Sequence, residues 1–313
     1  MGPGLLRYIA WRCLRAALTV AAMITLVFFL VRLMPGDPVD TMLGEEAAPE
    51  ERAALRSALG LDRPLPAQYV RFAGTVADGS LGMSFRKPSE TVASLIGEQA
   101  GATAALALAA IVIAWLIALP LGVVAAARPR TRVDSVATGL GVVGIAIPHI
   151  WLGPLLVLVF AVELRWLPLP GGDTHGGLAL LLPALTIGTG LAAVLTRQTR
   201  AAMLEVLNEQ YISAARAKGL SEARVLWRHA LPNALVPVLT IGAAQLGALL
   251  SGAVITERIF ERQGLGTLFI EAFFTRDLPV IQGCVLVFGV VYVLVQLSVD
   301  LVHGAIDPRV RLG

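Results

Sequence analysis

The chain has 313 residues, 56% of them hydrophobic and only 15% charged, with a mean hydropathy of +0.75 and a formal net charge of +3. That is too little charge to cover a soluble domain of this length, which excludes an ordinary water-soluble globule and points to an integral membrane protein. The basic balance, with an isoelectric point near 9.2, is that of positive residues in short cytoplasmic loops rather than of a nucleic-acid-binding surface.

A helix crossing a hydrocarbon core of roughly 30 Å needs about 20 predominantly apolar residues. The first such run, residues 16–33, follows Arg7, Arg12 and Arg15. The MPGDPVD that succeeds it has no small-x-small cleavage site, so an uncleaved spanning helix is predicted rather than a signal peptide. Residues 35–98 change character: Glu50, Glu51, Arg52, Arg56, Asp62 and Arg63 are closely spaced, and Pro64 and Pro66 break the chain. This reads as a soluble excursion with one short amphipathic helix near residues 49–59, where Ala54, Leu55, Ala58 and Leu59 recur at helical spacing.

Apolar runs return at residues 101–127, 135–164, 178–196, 235–256 and 281–303. The 135–164 run is long enough to tilt or bend, and Pro148 supplies the cause of a kink. With the first run this predicts an all-α membrane protein of six spanning helices, because lipid offers no partners to an open backbone. Arginines at positions 7, 12, 15, 128, 130, 132, 309 and 311 put both termini on the cytoplasmic side, with the long excursion outside. The expected organisation is residues 1–34 as N-terminus and first span, 35–98 as excursion, and 99–313 as a five-helix core containing a cytoplasmic loop at 198–232. Cys13 and Cys284 fall near opposite faces and are not expected to pair, since a disulfide needs α-carbons within about 7 Å.

Catalytic and metal motifs are missing from the sequence. It has no G-x-x-x-x-G-K-[ST] phosphate loop and no H-E-x-x-H, and DGSLG (residues 78–82) fails G-x-S-x-G by one position. No catalytic residue, metal site or cofactor is therefore predicted on this chain. Carriers driven by proton or sodium gradients usually place an ionisable group near the midplane. Here Arg32, Asp134, Glu163, Asp300 and His303 fall at helix ends, which disfavours an ion-coupled secondary transporter. His149 is the one candidate for a deeper site; beside Trp151 at a bend, its plainer role is packing, with its N–H bonded to a freed carbonyl. Gln245, Ser251 and Gln296 are the polar groups expected to face a pathway or a partner subunit, with interhelical hydrogen bonding the competing role. The chain reads as a conduit whose energy enters through a partner.

One basic island interrupts the apolar pattern, ISAARAKGLSEARVLWRHALPNALVPV at residues 212–238. Glu205 to Lys218 suits a helix, Gly219 suits the position just past its end, Ser221 suits the cap of a second helix, and Pro232 suits its stop. A basic amphipathic loop on lipid headgroups and a protein-docking helix are both consistent with this periodicity. The slim surface of Ser213, Ala214, Ala215, Ala217 and Gly219 favours insertion into a protein groove.

The island resembles the cytoplasmic coupling loop of permease subunits of binding-protein-dependent ABC importers. That pattern runs Glu-Ala-Ala, three residues, Gly, nine residues, an aliphatic, one residue, Leu-Pro. Ala214, Ala215, Gly219, Leu231 and Pro232 match it at the family spacing, whereas Ser213 stands where the glutamate would be and His229 where the aliphatic would be. The wording ARAKGL is similar to the dipeptide, oligopeptide and nickel branch. So are MPGDP (34–38), LGLDRPLPAQY (59–69), DGSLGMS (78–84), WLPLPGG (166–172), GLGTL (264–268), RDLPVIQG (276–283) and DPRVR (307–311), in that order.

The resemblance implies a type I ABC importer permease fold in a prokaryotic cytoplasmic membrane. It implies a second permease subunit, two cytoplasmic ATP-binding subunits carrying ATP and magnesium, and an extracytoplasmic substrate-binding protein. It further implies di- or oligopeptides as substrate, with nickel or another non-peptide solute as the alternative. Tyr211, Ser213, Ala214, Ala215, Arg216, Lys218, Gly219, Leu231 and Pro232 would form the ATPase-coupling surface.

Overall fold

A computed structural model describes residues 3–44, 47–171 and 177–306, and the described residues are almost wholly helical. The terminal DPRVR motif (307–311) and Gly172 lie outside the described residues. The chain divides into two compact units, residues 1–103 with 263–313, and residues 104–262.

In the first unit, α1 (Pro3–Arg32) packs on the long C-terminal helix, α14 below (Leu278–Ile306). Arg12 Nη1 donates to the Asp300 carboxylate at 2.7 Å, and the Tyr8 hydroxyl donates to the Asp300 carbonyl at 3.0 Å. Farther along, a Cβ on Gly289 would collide with the Met23 thioether. Position 12 facing 300 and 23 facing 289 makes the pair antiparallel. Glycine at 289 lets the two backbones approach closely, the usual device where apolar lipid gives helices no hydrophobic reason to associate.

Among the described residues the excursion holds not one helix but α2 (Pro38–Leu43), α3 (Pro49–Ala58), α4 (Leu65–Ala77) and the beginning of a longer helix at Val92. The expected amphipathic helix is α3, and Pro49 at its start is a residue that a helix tolerates there. Pro64 and Pro66, expected to break the chain, instead open α4, where their missing N–H groups cost nothing. Helix α4 buries Phe72 against Phe28 of α1, while Tyr69 and Thr25 share a hydroxyl hydrogen bond of 2.9 Å.

Beyond α4, the DGSLGMS and RDLPVIQG motifs meet. The buried Asp277 carboxylate accepts from the Ser84 hydroxyl and from the backbone N–H groups of Phe85 at 3.1 Å and Arg86 at 3.2 Å. That network fastens the excursion to the helix end where α13 (Leu265–Thr275) turns into α14.

Helix α5 (Val92–Ala127) continues into the second unit. There Leu106, Ala110, Ala114 and Ala118, four apart, are fully buried, while Leu108, Val112 and Leu116 are exposed. Small side chains face protein and large ones face outward, the arrangement expected when the surroundings are lipid. Helix α6 (Arg132–Ala146) ends at Ile147–Pro148, and α7 (His149–Val157) restarts after it, running into a π-helical segment, Leu158–Glu163. The predicted kink at Pro148 is thus a break in the helix. Helix α8 (Leu181–Leu207) is the core of this unit. A Cβ on Gly122 of α5 would stand 2.5 Å from Thr199 Cβ and 2.9 Å from the Thr196 carbonyl, so α5 and α8 are nearly in backbone contact.

The basic island follows as α9 (Gln210–Ala217) and α10 (Glu222–Arg224), then a π-helical segment, Val225–Ala230. Helices α11 (Leu231–Ala244) and α12 (Leu246–Ile259) meet at Gln245. Among the described residues, four helices are long and apolar enough to cross a membrane: Arg7–Arg32, Val92–Ala127, Gly177–Leu207 and Leu278–Leu301. The other two apolar runs, 135–164 and 235–256, are each interrupted, at Pro148 and at Gln245.

Candidate functional site

The expected helix from Glu205 to Lys218 is two helices, because the chain leaves α8 at Asn208–Glu209 before α9 begins. Asn208 turns its side chain back to donate to the Leu204 carbonyl at 2.9 Å, the local competition that makes asparagine a poor interior residue for a helix. Helix α9 then lies with Ile212 and Ala215 buried in the core of its unit and with Tyr211, Ser213, Ala214, Arg216 and Lys218 exposed. Ala215, expected on the slim outer surface, faces inward at 8% exposure, so the close approach it permits is within the chain.

Gly219 ends α9 with φ at +78°. Its N–H donates to the Arg216 carbonyl at 2.9 Å, and the Leu220 N–H reaches the Ala215 carbonyl at 3.4 Å, the paired bonds of a Schellman turn. No atom lies within 4 Å of where a Cβ would be, so glycine is required here by backbone angle and not by crowding. Ser221 occupies the position before the next helix in extended conformation, yet its side chain makes no capping bond. The first-turn interaction comes instead from Glu222, which accepts from Arg216 Nη2 at 2.7 Å and Nε at 3.2 Å. That two-pronged bond holds the Glu222 carboxyl below its usual range and raises the Arg216 guanidinium.

Pro232 does not stop the second helix. Helix α10, the π-helical segment and α11 follow one another without a gap, with Leu231 and Pro232 in the opening positions of α11. In a regular α-helix the proline ring would strike the carbonyl four residues earlier; the wider π turn just before it relieves that collision. The extra residue in the turn also puts Val225 and Ala230, five apart, both in the core. Tyr211 joins α9 to this helix: its hydroxyl accepts from Asn233 Nδ2 at 2.9 Å, and the same nitrogen donates to the His229 carbonyl at 2.9 Å. Arg224 and Arg228 are exposed. Of the residues expected on the coupling surface, Tyr211, Ser213, Ala214, Arg216, Lys218, Gly219 and Pro232 are exposed, whereas Ala215 and Leu231 are buried in the core with Ile212 and Val225.

The predicted pathway residues are distributed differently. Gln245, half-buried at the α11–α12 joint, lines a cavity of about 310 Å³ together with His149, Pro148, Gly190 and Leu249. Among the described residues His149 does not find the expected carbonyl: its Nδ1 is buried without a hydrogen-bond partner there, and the ring sits against Gly190, where a Cβ would lie 3.0 Å from Cε1. The Pro148 carbonyl, at the start of α7, already accepts the N–H groups of Trp151 and Leu152. Sequence reading missed the pairing of His149 with Gln245, since 96 positions separate two residues brought together only by two helix interruptions. Gln296 lies on α14 in the first unit, where its Nε2 donates to the Tyr292 hydroxyl at 3.3 Å. The side chain of Ser251 lies outside the described residues.

An apolar, almost wholly helical chain with four helices long enough to cross a bilayer defines, among the described residues, an integral membrane protein. The family model described as "Binding-protein-dependent transport system inner membrane component" matches residues 118–312, and its N-terminal companion matches residues 5–107. The chain belongs to this family of inner-membrane permeases of ABC importers. It is 40% identical to the di/tripeptide transport system permease protein DppB of Pseudomonas aeruginosa, over 91% of this chain and 93% of that one. It is 38% identical to the glutathione transport system permease protein GsiC of Pectobacterium atrosepticum, over 98% of this chain and 99% of the relative. A solved structure of the MetNI methionine ABC transporter in an inward-facing conformation shares the fold, with a TM-score of 0.56 at 20% identity over 68% of this chain and 96% of that chain.

Proposed function

We propose that this permease moves di- or oligopeptides inward across a prokaryotic cytoplasmic membrane, using ATP hydrolysed by separate subunits. The observation that carries the reading is near full-length identity of 38–40% to permeases named for di/tripeptides and for glutathione, itself a short peptide. In this reading the two interrupted runs also cross the bilayer, giving six spans with both termini cytoplasmic and residues 35–98 outside. A second permease completes the pathway, an extracytoplasmic binding protein delivers the peptide, and two cytoplasmic subunits carry ATP and magnesium.

The coupling surface is then the exposed side of α9 with the Gly219 turn, together with Tyr211 and Pro232. Burial of Ile212 and Ala215 supports a mechanical role, because a load on the outer face passes directly into the helices they pack against. For nucleotide to drive transport it must bind one conformation more tightly than another, and a stiff element conveys that difference. The cavity shared by His149 and Gln245 supports polar contact with a passing peptide group.

The test is uptake of a labelled dipeptide by proteoliposomes holding the full complex. Accumulation that needs ATP and the binding protein, and that survives a proton ionophore, is expected. Accumulation by this chain alone, or collapse with the ionophore while ATP persists, would overturn the reading.

A further inference from the structure

A second cavity, of about 410 Å³, lies wholly within the first unit and is lined by three arginines, Arg32, Arg63 and Arg71, and by no carboxylate among the described residues. Arg32 is partly engaged, donating to the Gln68 side-chain oxygen at 2.9 Å and to the Phe28 carbonyl at 2.9 Å. The guanidinium groups of Arg63 and Arg71 have no acceptor among the described residues, yet they converge. Arg71 Nη1 stands 2.8 Å, and Arg63 Nε 4.0 Å, from the point a Cβ would occupy on Gly60. Two cations gathered over one glycine repel each other, and an anion between them would relieve that repulsion. Gly60 itself, at φ +70°, both makes the turn and leaves the room that Arg71 fills.

The floor of the cavity adds a further donor. Gln282 of α14 is 5% exposed, and its Nε2 is buried without a partner among the described residues. A buried amide N–H left unpaired costs stability, so its place in a ligand cavity is informative. Unpaired guanidinium groups and a buried amide N–H, with no carboxylate in the lining, are complementary to an acceptor-only, negatively charged group. Guanidinium forks match the oxygens of a phosphate in paired hydrogen bonds. Position narrows the choice further: Arg32 is the last residue of the Arg7–Arg32 span, and Gln282 lies in the second turn of the Leu278–Leu301 span. The cavity therefore sits where two spans end, at the depth of phospholipid headgroups.

We propose that this cavity binds a phosphate oxyanion between Arg63 and Arg71, with Gln282 Nε2 as an additional donor. The proposal is independent of what the permease transports. Its sources are a phospholipid headgroup or a soluble phosphate, and the test separates them. The purified full-length chain in a neutral maltoside detergent is melted with added phosphatidylglycerol, with diacylglycerol as the phosphate-free lipid, with inorganic phosphate, or with a dipeptide. The same series is run on the double variant Arg63→Gln/Arg71→Gln. Both arginines are exposed, so the variant should fold, and its ligand-free melting temperature should equal or exceed that of the native chain because a repulsion is gone.

A rise with phosphatidylglycerol but not diacylglycerol, with affinity weakened about tenfold or more in the variant, supports a lipid source. The same pattern with inorganic phosphate supports a soluble one. No rise with either, equal rises in both proteins, equal effects of both lipids, or a rise with the dipeptide alone would each overturn the proposal.

Discussion

The Asp134 carboxylate receives both prongs of the Arg200 guanidinium, Nε at 2.5 Å and Nη2 at 2.7 Å, and so fastens the start of α6 to α8. The Arg130 backbone N–H adds a third donor at 2.9 Å. Asp134→Asn keeps the shape but loses the charge-assisted bonds, and is expected to cost about 2 kcal/mol. Melting of the detergent-solubilised variant against the native chain measures it.

The same carboxyl carries a pH signature. Hydrogen bonds from Arg200, then from Arg130, hold Asp134 at about 2 instead of its ordinary 3.8. A folded-state value below the unfolded one stabilises the fold fully above the ordinary value, and that stabilisation disappears as pH falls through the folded value. The melting difference between native and Asp134→Asn should therefore be constant above about pH 5 and shrink steadily below about pH 4. A difference that grows on acidification would contradict this.

Gly122 and Gly139 make a matched pair. A Cβ at 122 would meet Thr199 Cβ at 2.5 Å and a backbone carbonyl at 2.9 Å, whereas one at 139 meets nothing within 4 Å. Gly122→Ala is expected to destabilise by about 1–3 kcal/mol through overpacking. Gly139→Ala should be neutral or slightly stabilising, since alanine favours the helix by about 1 kcal/mol. Thr199→Ser should rescue Gly122→Ala only in part, because it removes Cγ2, 2.8 Å from the added Cβ, but keeps the β-carbon at 2.5 Å. Melting of the three variants is the measurement.

At Gly219 the chain itself is indifferent to side-chain size. Any non-glycine residue pays for the left-handed angle, about 1–2 kcal/mol, and Asn pays less than Ala. Gly219→Ala and Gly219→Trp should therefore melt alike. If α9 docks on an ATPase, the tryptophan variant alone should hydrolyse ATP without transporting, as paired hydrolysis and uptake assays on the assembled complex would show. Equal transport by the two variants would remove Gly219 from the docking face.

Asp277→Ala should loosen the excursion without unfolding the helices. It strips the acceptor from Ser84 and from two backbone N–H groups, at a cost of about 1–3 kcal/mol for buried donors left unpaired. Limited proteolysis should then cut residues 79–91 faster, while the fragments retain the helical signal.

Much of the helical skeleton was legible in the sequence, and the reasons it was not wholly so are local. Apolar runs marked the long helices, Pro148 marked a break, and Gly219 marked a helix end. The prolines at 64, 66 and 232 misled in one direction: Pro64 and Pro66 open α4, where a missing N–H is harmless, and Pro232 lies within a helical run that continues from α10 through the π turn into α11. The π turn at Val225–Ala230 has no compositional mark, so the continuous helix through Pro232 was out of reach. At the site, periodicity gave the exposed face of α9 but assigned Ala215 to it, because alanine is equally at home buried or exposed. The His149–Gln245 cavity depends on where two interrupted helices cross α8, which one sequence does not encode in any short pattern.

The outward row of Leu108, Val112 and Leu116 on α5, set against the inward row of Ala110, Ala114 and Ala118, separates two design problems that share one helix. The inner row tolerates almost no added volume. The outer row answers only to the surrounding medium, so replacing it with glutamate or lysine trades oil compatibility for water compatibility while the interior shape persists. A detergent-free version of this domain would be sought by editing that outer row and its counterparts on neighbouring helices, leaving every alanine and glycine untouched.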